Sequence, residues 1–481
     1  MTQTQTIGIH IFRRDLRLQD NTALLEAYRQ NDIVIPIFIF SPRQVTNNPY
    51  KSEKSVQFMI ESLEDLERNL QKNNNSLQQP ILYFYGDEIE ILSYLFKAIG
   101  FKNLYVNADY TLFSKTRDQK IEWMCERLQI GFHSYHDVCL FQPGSILTGS
   151  GTPYQKFTPF FENCMENREK IPKSQKFKFN NKTFVSNIEM QHKNFSLKHK
   201  INLMEAYVKF TTPNANNQMF GGSTEGYKKL ENVKHQGRYN IERNDLTKET
   251  TQLSPYLKFG CLSIREVYEK FLKELGIQND LIKQLIWRDF YIHLMDAFPY
   301  VMQGKSLKTK YDKIKWGNNR EWFKKWCNGE TGFPIVDACM MQLNNTGYMH
   351  NRGRLIVSSF LIKVLQIDWR WGEKYFAQKL VDYDPAANNG NWQWASGSGA
   401  DSQPYFRIFN PWLQSLKHDK DALYIKKWLP QLENANIPAK HIHEWNIYYS
   451  EYKLKDIGYF KPIVDYSKMK EKTLEMYKKY V

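Results

Sequence analysis

The 481-residue chain has few cysteines, and none of the six has a partner at a chemically useful spacing. Cys125, Cys139, Cys164, Cys261, Cys327 and Cys339 form no CxxC pair, and none lies near a histidine at zinc-ligand spacing. This argues against a disulfide framework and a thiolate metal site, and it fits reduced thiols in an intracellular protein. Long hydrophobic runs are also missing. The longest, IVIPIFIF (33–40), falls well short of the roughly 20 residues that a membrane helix needs. The opening MTQTQTIGIHIF has no charged stretch ahead of an apolar one, so no signal peptide is expected. A soluble chain without a membrane partner follows. No GxGxxG or Walker A motif occurs, which argues against a standard dinucleotide or P-loop site. Acidic residues are in deficit: 51 Asp+Glu against 66 Lys+Arg give a net charge of +15 and a pI near 9.2. That balance favours polyanionic partners, nucleic acid first.

Aromatics make up 15% of the chain and hydrophobic residues 42%, enough for two or three domains with real cores. Residues 7–13, 33–40, 81–85 and 103–106 are short β-rich runs. Helical patterns separate them; Val56, Met59, Ile60, Leu63, Leu66 and Leu70 recur at helix spacing. Alternation of this kind predicts a doubly wound parallel-sheet α/β domain over residues 1–135. A Lys/Asn-rich stretch without periodicity at 165–205 reads as a long connector crossing the surface, and residues 136–205 are expected to be a long interdomain connector. From 206 to 481 the pattern is all-helical. Eleven of the twelve tryptophans lie beyond residue 280, which suggests stacking on a flat ligand, on bases or on other indoles.

Several stretches carry candidate chemistry. In KQLIWRDFY (283–291), Gln284, Trp287, Arg288 and Tyr291 share one helix face. It is too polar for an ordinary core and too aromatic for an ordinary solvated surface. TTQLSPYLKFG (250–260) offers the hydroxyls of Thr250, Thr251 and Ser254 at a loop-to-helix start, where backbone N–H groups suit a phosphate as well as they suit an ordinary cap. Asp382 and Asp384 lie two apart, but no histidine or further carboxylate follows closely, so no metal is expected.

Together with FRRDLRLQDN (12–21), TGYMHNRGRL (346–355) and VDYDPAANNGNWQWASGSGADSQPYFRIFNP (381–411), these stretches resemble the photolyase/cryptochrome family from residue 7 to about 445. Among its members the chain is most similar to the class I cyclobutane pyrimidine dimer (CPD) photolyases. The resemblance implies an α/β antenna domain and a helical FAD-binding domain, with reduced FAD as a light-driven electron donor. It implies a phosphate loop of Thr250, Thr251, Gln252, Leu253 and Ser254, joined by Tyr239. The family often has Ser and Arg where this chain has Thr251 and Gln252, so one positive charge near the phosphates is missing from the loop. Asp382, Tyr383 and Asp384 would meet the flavin and adenine, with Arg354 pairing Asp382, and Asn388 would face the flavin N5. Trp392, Trp369 and Trp316 match the photoreduction chain, ordered from flavin to surface. Trp287 and Trp394 match the residues flanking a flipped dimer, with Gln284 at its base edge. Arg243, Arg288, Tyr291, Asn351, Arg352 and Gln414 would meet DNA or the pocket rim.

Three activities compete within that resemblance: CPD repair, (6-4) repair and cryptochrome signalling. The (6-4) enzymes use two histidines for proton transfer after the TG[WY] segment. The matching positions here are Asn351 and Leu355, which argues against that chemistry. The chain ends soon after the family core, which weakens the cryptochrome reading. A light-independent single-strand-binding module would leave the flavin motifs unexplained. Gln284 stands where CPD photolyases usually place a glutamate; glutamine there is familiar from (6-4) photolyases and animal cryptochromes. The antenna stretch NADYTLFSKTRD (107–118), with Phe113 and Ser114, leaves a deazaflavin, a second flavin, a folate or no second chromophore open. The expected partner is UV-damaged DNA, met by a monomer.

Overall fold

The computed structural model describes residues 5–73, 80–178, 183–184, 199–213 and 217–480. Five parallel strands form the first layer: β1 (Ile7–Phe12), β2 (Ile33–Phe40), β3 (Leu82–Tyr85), β4 (Asn103–Asn107) and β5 (Gly131–Tyr135). Their order is β3-β2-β1-β4-β5, and Thr183–Phe184 adds a short parallel pairing to β2. Helices α1 (Thr22–Gln30), α2 (Glu53–Asn73), α3 (Glu88–Ile99) and α4 (Leu112–Leu128) make the crossovers. β2 is apolar without alternation because helices cover both sheet faces. β5 escapes the sequence pattern: GFHSY has no β-branched residue and, as an edge strand, is only partly buried. Strand order reverses at β1, which opens a crevice at the carboxyl ends of β1, β2 and β4.

The remaining layer is helical. Its relevant elements are α5 (Phe157–Glu166), α6 (Ser223–Glu231), α7 (Ser254–Lys258), α8 (Asp280–Ala297), α9 (Asn351–Lys363), α10 (Trp369–Lys379), α11 (Pro385–Ser396) and α12 (Tyr466–Lys478). The part of the expected interdomain connector ahead of its Lys/Asn-rich stretch contributes to the core. Val138, Cys139, Leu140 and Phe141 are buried, and so are Phe157, Phe160 and Cys164. The Leu140 and Phe141 N–H groups donate to Asp289 Oδ2 of α8 at 2.8 and 3.2 Å. Residues 179–182 and 185–198 of the Lys/Asn-rich stretch lie outside the described residues. The boundary expected at 206 falls inside a helix, Leu203–Phe210, whose Phe210 ring meets Phe40 and Tyr85 of the α/β layer at 5.5 and 5.1 Å.

The two layers are joined by charges from FRRDLRLQDN. Arg17 is 2% exposed and donates to Asp137 Oδ2 at 2.6 Å and to the Gly260 carbonyl at 3.1 Å. Arg265 donates to Asp20 Oδ2 at 2.7 Å and to Asp137 Oδ1 at 2.8 Å. Burial opposes ionisation of Asp137, but the two arginines outweigh it and hold the carboxyl near pKa 2. Gly260 is required here. Its φ is +63°, and a Cβ would lie 2.0 Å from the Arg14 carbonyl oxygen.

Candidate functional site

Helices α7 and α9 and the segment before α11 bring the acidic motif together. Asp382 precedes α11 and is buried. Its Oδ2 accepts from Arg354 Nη2 of α9 at 2.9 Å and from Ser254 Oγ of α7 at 2.6 Å. Arg354 is aimed by a second bond, from Nε to the Met349 carbonyl at 2.9 Å, and lies over the Tyr348 ring. Asp382 Oδ1 is buried and has no partner in the protein. A buried carboxylate oxygen demands a donor, and a flavin ring N–H supplies one. These residues therefore fit the FAD that the motifs imply. A cavity of about 110 Å³ opens beside them, lined by Asn351, Arg354, Leu355, Tyr383, Asn388 and Trp392 among others.

Asn388 points the right way for an acceptor role. Its Nδ2 donates to the Glu373 carbonyl oxygen at 3.0 Å and to Glu373 Oε1 at 2.9 Å. Both amide hydrogens are thereby engaged, which leaves the amide oxygen to accept from a ligand. Glu373 itself carries no motif signal, and the sequence reading missed it. It is 4% exposed; burial raises its pKa to about 7 against the Asn388 hydrogen bond. Asp384 caps α11 through the Ala386 and Ala387 N–H groups, and Arg14 Nη2 meets its Oδ2 at 2.5 Å. Burial opposes that charge, but Arg14, Lys258 and Arg288 outweigh it and hold Asp384 ionised well below the usual carboxylate range. Arg14 also bonds Asp109 at 3.2 Å, so one arginine spans both layers. Tyr383 stands between the two aspartates with its ring stacked on Tyr50 at 6.5 Å.

The expected phosphate loop lies on the same side. Thr250 and Thr251 stay partly open to solvent, and Leu253 is buried. Gln252 takes a left-handed φ of +50°, and its Oε1 accepts from Lys229 Nζ of α6 at 2.7 Å. Tyr239 is partly buried under the Arg243 guanidinium, which lies 6.0 Å from its ring centre and 3.7 Å from Asp280.

The three expected redox tryptophans share one hydrophobic cluster. Trp392 and Trp369 are each 2% exposed, whereas Trp316 is only partly buried. The Trp392 ring lies against the α10 backbone, where a Cβ on Gly372 would stand 2.1 Å from it. Trp316 meets Tyr477 of α12 edge-on at 6.1 Å. Trp326, fully buried, also touches Trp392 edge-on at 6.3 Å.

On the other side of Leu355 lies a cavity of about 330 Å³, lined by Asn244, Arg352, Trp394, Gln403, Arg407, Gln414 and Lys417 among others. Arg352 is aimed by Asn244 Oδ1, which accepts from its Nε at 3.2 Å. Gln414 Oε1 is buried and unpartnered, free to accept from a base edge. His418 contributes no charge: burial, with Arg352 and Lys417 nearby, lowers its pKa to about 4. Leu355 alone lines both this cavity and the smaller one.

The α8 face is only partly available. Arg288 turns inward, with Nη1 donating to the Val138 carbonyl at 2.6 Å and Nη2 to the Leu257 carbonyl at 3.4 Å. Its expected DNA contact is corrected to an interior tie, because unpaired carbonyls of the buried 138–141 segment need a donor. Tyr291 is also interior: it is 6% exposed, its ring covers Gly390, and its hydroxyl donates to Asn391 at 3.3 Å. One face of Trp287 is already stacked on Phe157, with ring centres 3.7 Å apart. Gln284 stays half-buried, and neither it nor Trp287 lines the 330 Å³ cavity that Trp394 and Gln414 share. Among the described residues no cluster of His, Cys, Asp or Glu could hold a metal, and no helix is long and apolar enough to cross a membrane.

A third cavity, of about 560 Å³, occupies the crevice at the strand ends. Arg13 and Arg14 reach it after β1, Arg43 after β2, and Thr111 and Phe113 after β4; Trp369 and Tyr383 close its far end. Arg117 lines it, and its Nη2 is buried without a hydrogen-bond partner. Ser114 is committed internally, donating to Asp109 Oδ2 at 3.1 Å.

A family model described as the FAD binding domain of DNA photolyase matches residues 281–479, and one described as DNA photolyase matches 8–176. A deoxyribodipyrimidine photo-lyase of Buchnera aphidicola is 35% identical, spanning 97% of this chain and 96% of that protein. Among solved structures, an archaeal photolyase from Sulfolobus tokodaii with two FAD molecules is 37% identical, with a TM-score of 0.83 over 98% of this chain and all of that one. A Synechocystis cryptochrome is 26% identical, with a TM-score of 0.84 over 99% of this chain and 100% of the other. Full-length identity at this level, together with the two matching family models, places the chain in the DNA photolyase family.

Proposed function

We propose that this chain is a deoxyribodipyrimidine photo-lyase that splits cyclobutane pyrimidine dimers in UV-damaged DNA under light. Bound FAD supplies the light-driven electron chemistry. The carrying observation is that Leu355 is the one residue lining both the Asp382–Asn388 cavity and the basic cavity of Trp394 and Gln414. An aliphatic wall between ligand and lesion lets the two approach and offers no proton. The histidine that precedes Asn351 is also silent as an acid. His350 Nδ1 caps α9 by accepting from the Arg352 N–H at 3.1 Å, and burial with Arg354 and Arg352 lowers its pKa to about 4. Chemistry that needs a protonated imidazole, as (6-4) splitting does, has no donor there. Arg352, Arg407 and Lys417 suit phosphate, and Trp394 suits base stacking, worth roughly 1–3 kcal/mol per base. Flipping a base costs a few kcal/mol, and photolyases are themselves a standard case of it. The test is illumination of the reduced holoenzyme with CPD-containing and, separately, (6-4)-containing DNA. Loss of CPDs alone is expected; no light-dependent loss of CPDs overturns the assignment.

Gln284 bears on efficiency. A carboxylic acid at that position can give a proton or hold charge, whereas the amide can do neither and is limited to hydrogen bonding. Gln284→Glu is expected to keep or raise the CPD repair yield per absorbed photon. A large fall would mean the amide serves a different lesion or a signalling role.

The crevice cavity is proposed to take a second FAD. An unpartnered buried guanidinium nitrogen on Arg117 suits an anionic ligand, and the apolar Phe113 suits a ring. The Sulfolobus tokodaii photolyase, with its two FAD molecules, supports a flavin over a folate. FAD released from gently purified protein should approach two per chain, and Arg117→Leu should lower it to one. A single FAD per chain in FAD-saturated protein would refute the second site.

A further inference from the structure

We propose that Lys229 supplies the cationic contact to the FAD diphosphate that Gln252 of the phosphate loop cannot make. The inference rests on the reading of residues 250–254 as that loop, which it deepens.

Three observations carry it. Lys229 Nζ donates to Gln252 Oε1 at 2.7 Å, so an ammonium from α6 stands where the loop itself has only an amide. Among the described residues no carboxylate lies within 4 Å of that ammonium, whereas its neighbour Lys228 is paired with Glu225 at 2.6 Å. One of its three N–H donors is used on Gln252, which leaves two for an anion. Gln252 is also held at φ +50°, a conformation a non-glycine residue adopts only under constraint. That backbone turn and the lysine bond together fix the side chain across the loop.

The placement of α6 makes the contact rigid. A Cβ on Gly226 would meet Tyr256 and Leu262 at 3.0 Å, so the helix is seated directly on the segment following the loop. Lys229 is half-buried. Burial works to lower its pKa, opposed by Glu249 and Glu225 at longer range. A diphosphate would replace water at this ammonium with a charge-assisted bond. The chain thus moves a positive charge from the loop to a neighbouring helix, with Gln252 as the bridge.

The test compares FAD with riboflavin, which lacks phosphates, by flavin fluorescence during dissociation from the holoenzyme and rebinding. Lys229→Met should weaken FAD by about tenfold or more, the usual scale of a lost charged hydrogen bond, and leave riboflavin affinity unchanged. Adding Gln252→Arg to that variant should restore FAD affinity, because the charge returns to the loop. Lys229→Arg should hold FAD as wild type does and checks the site if the methionine variant misfolds. Equal FAD affinity in Lys229→Met and wild type, while Thr251→Ala weakens FAD, would reject the role of Lys229. Unchanged FAD affinity in both Thr251→Ala and Lys229→Met would instead reject the phosphate-loop reading. Equal losses of FAD and riboflavin would mark Lys229 as merely structural and overturn the proposal.

Discussion

Asp382→Asn should yield a folded chain that holds FAD at least about a hundredfold more weakly, since it strips one charge from a buried, hydrogen-bonded set. Asp382 Oδ2 accepts from both Arg354 and Ser254, and Oδ1 has no protein partner. An asparagine can present one oxygen to Arg354 and Ser254, but its amide nitrogen then replaces the free acceptor. A ring N–H arriving at that position would meet a donor instead. Arg354 would also lose its counter-ion, although its remaining bond to the Met349 carbonyl keeps it in place. The measurement is FAD content after purification, followed by titration of the apoprotein. Stoichiometric FAD in the asparagine variant would show that Asp382 is a structural partner of Arg354 and does not meet the flavin.

Trp392→Phe should slow photoreduction of the bound flavin by at least about tenfold, a rise in barrier of about 1.4 kcal/mol or more, with FAD content unchanged. A phenyl ring is much harder to oxidise than an indole. Trp392 is the member of the set that lines the Asp382–Asn388 cavity, Trp369 is equally buried, and Trp316 reaches toward solvent beside Tyr477. Trp326→Phe is the informative control. That indole also touches Trp392, but it is fully buried and donates to the Val357 carbonyl. It leads nowhere, so its loss should leave photoreduction intact. Transient absorption in the presence of an external reductant reads both variants. Undiminished photoreduction in Trp392→Phe would remove the chain of three tryptophans from the mechanism.

Much of the fold could be read from local pattern. The β-rich runs at 7–13, 33–40, 81–85 and 103–106 became strands, because apolar β-branched and aromatic side chains can be buried there on both faces of a parallel sheet. The apolar repeat from Val56 to Leu70 became α2 for the equally local reason of helical period. The pairing of Arg354 with Asp382 was implied by the family resemblance, and it is physically sensible because a buried carboxylate requires a cation or donor. Composition marked only the Lys/Asn-rich stretch at 165–205, and it does not reveal that, ahead of it, Phe157 stacks on Trp287 or that Leu140 and Phe141 bind Asp289.

What the sequence by itself determined is the chain's membership of the DNA photolyase family and its two-layer architecture. Those depend on patterns within a helix, a strand or a single motif. Only the tertiary structure decided the direction of side chains that sequence places on one face. Arg288 and Tyr291 share a helix face with Gln284 and Trp287, yet Arg288 is drawn inward by carbonyls 150 and 31 residues away, and Tyr291 by Gly390. It also decided which distant residues complete the site: Glu373 orienting Asn388, Arg14 holding Asp384, and Lys229 reaching Gln252. Hydrogen bonds and ion pairs depend on distances of a few ångströms in space, and helical or strand periodicity carries no information about a partner hundreds of residues away.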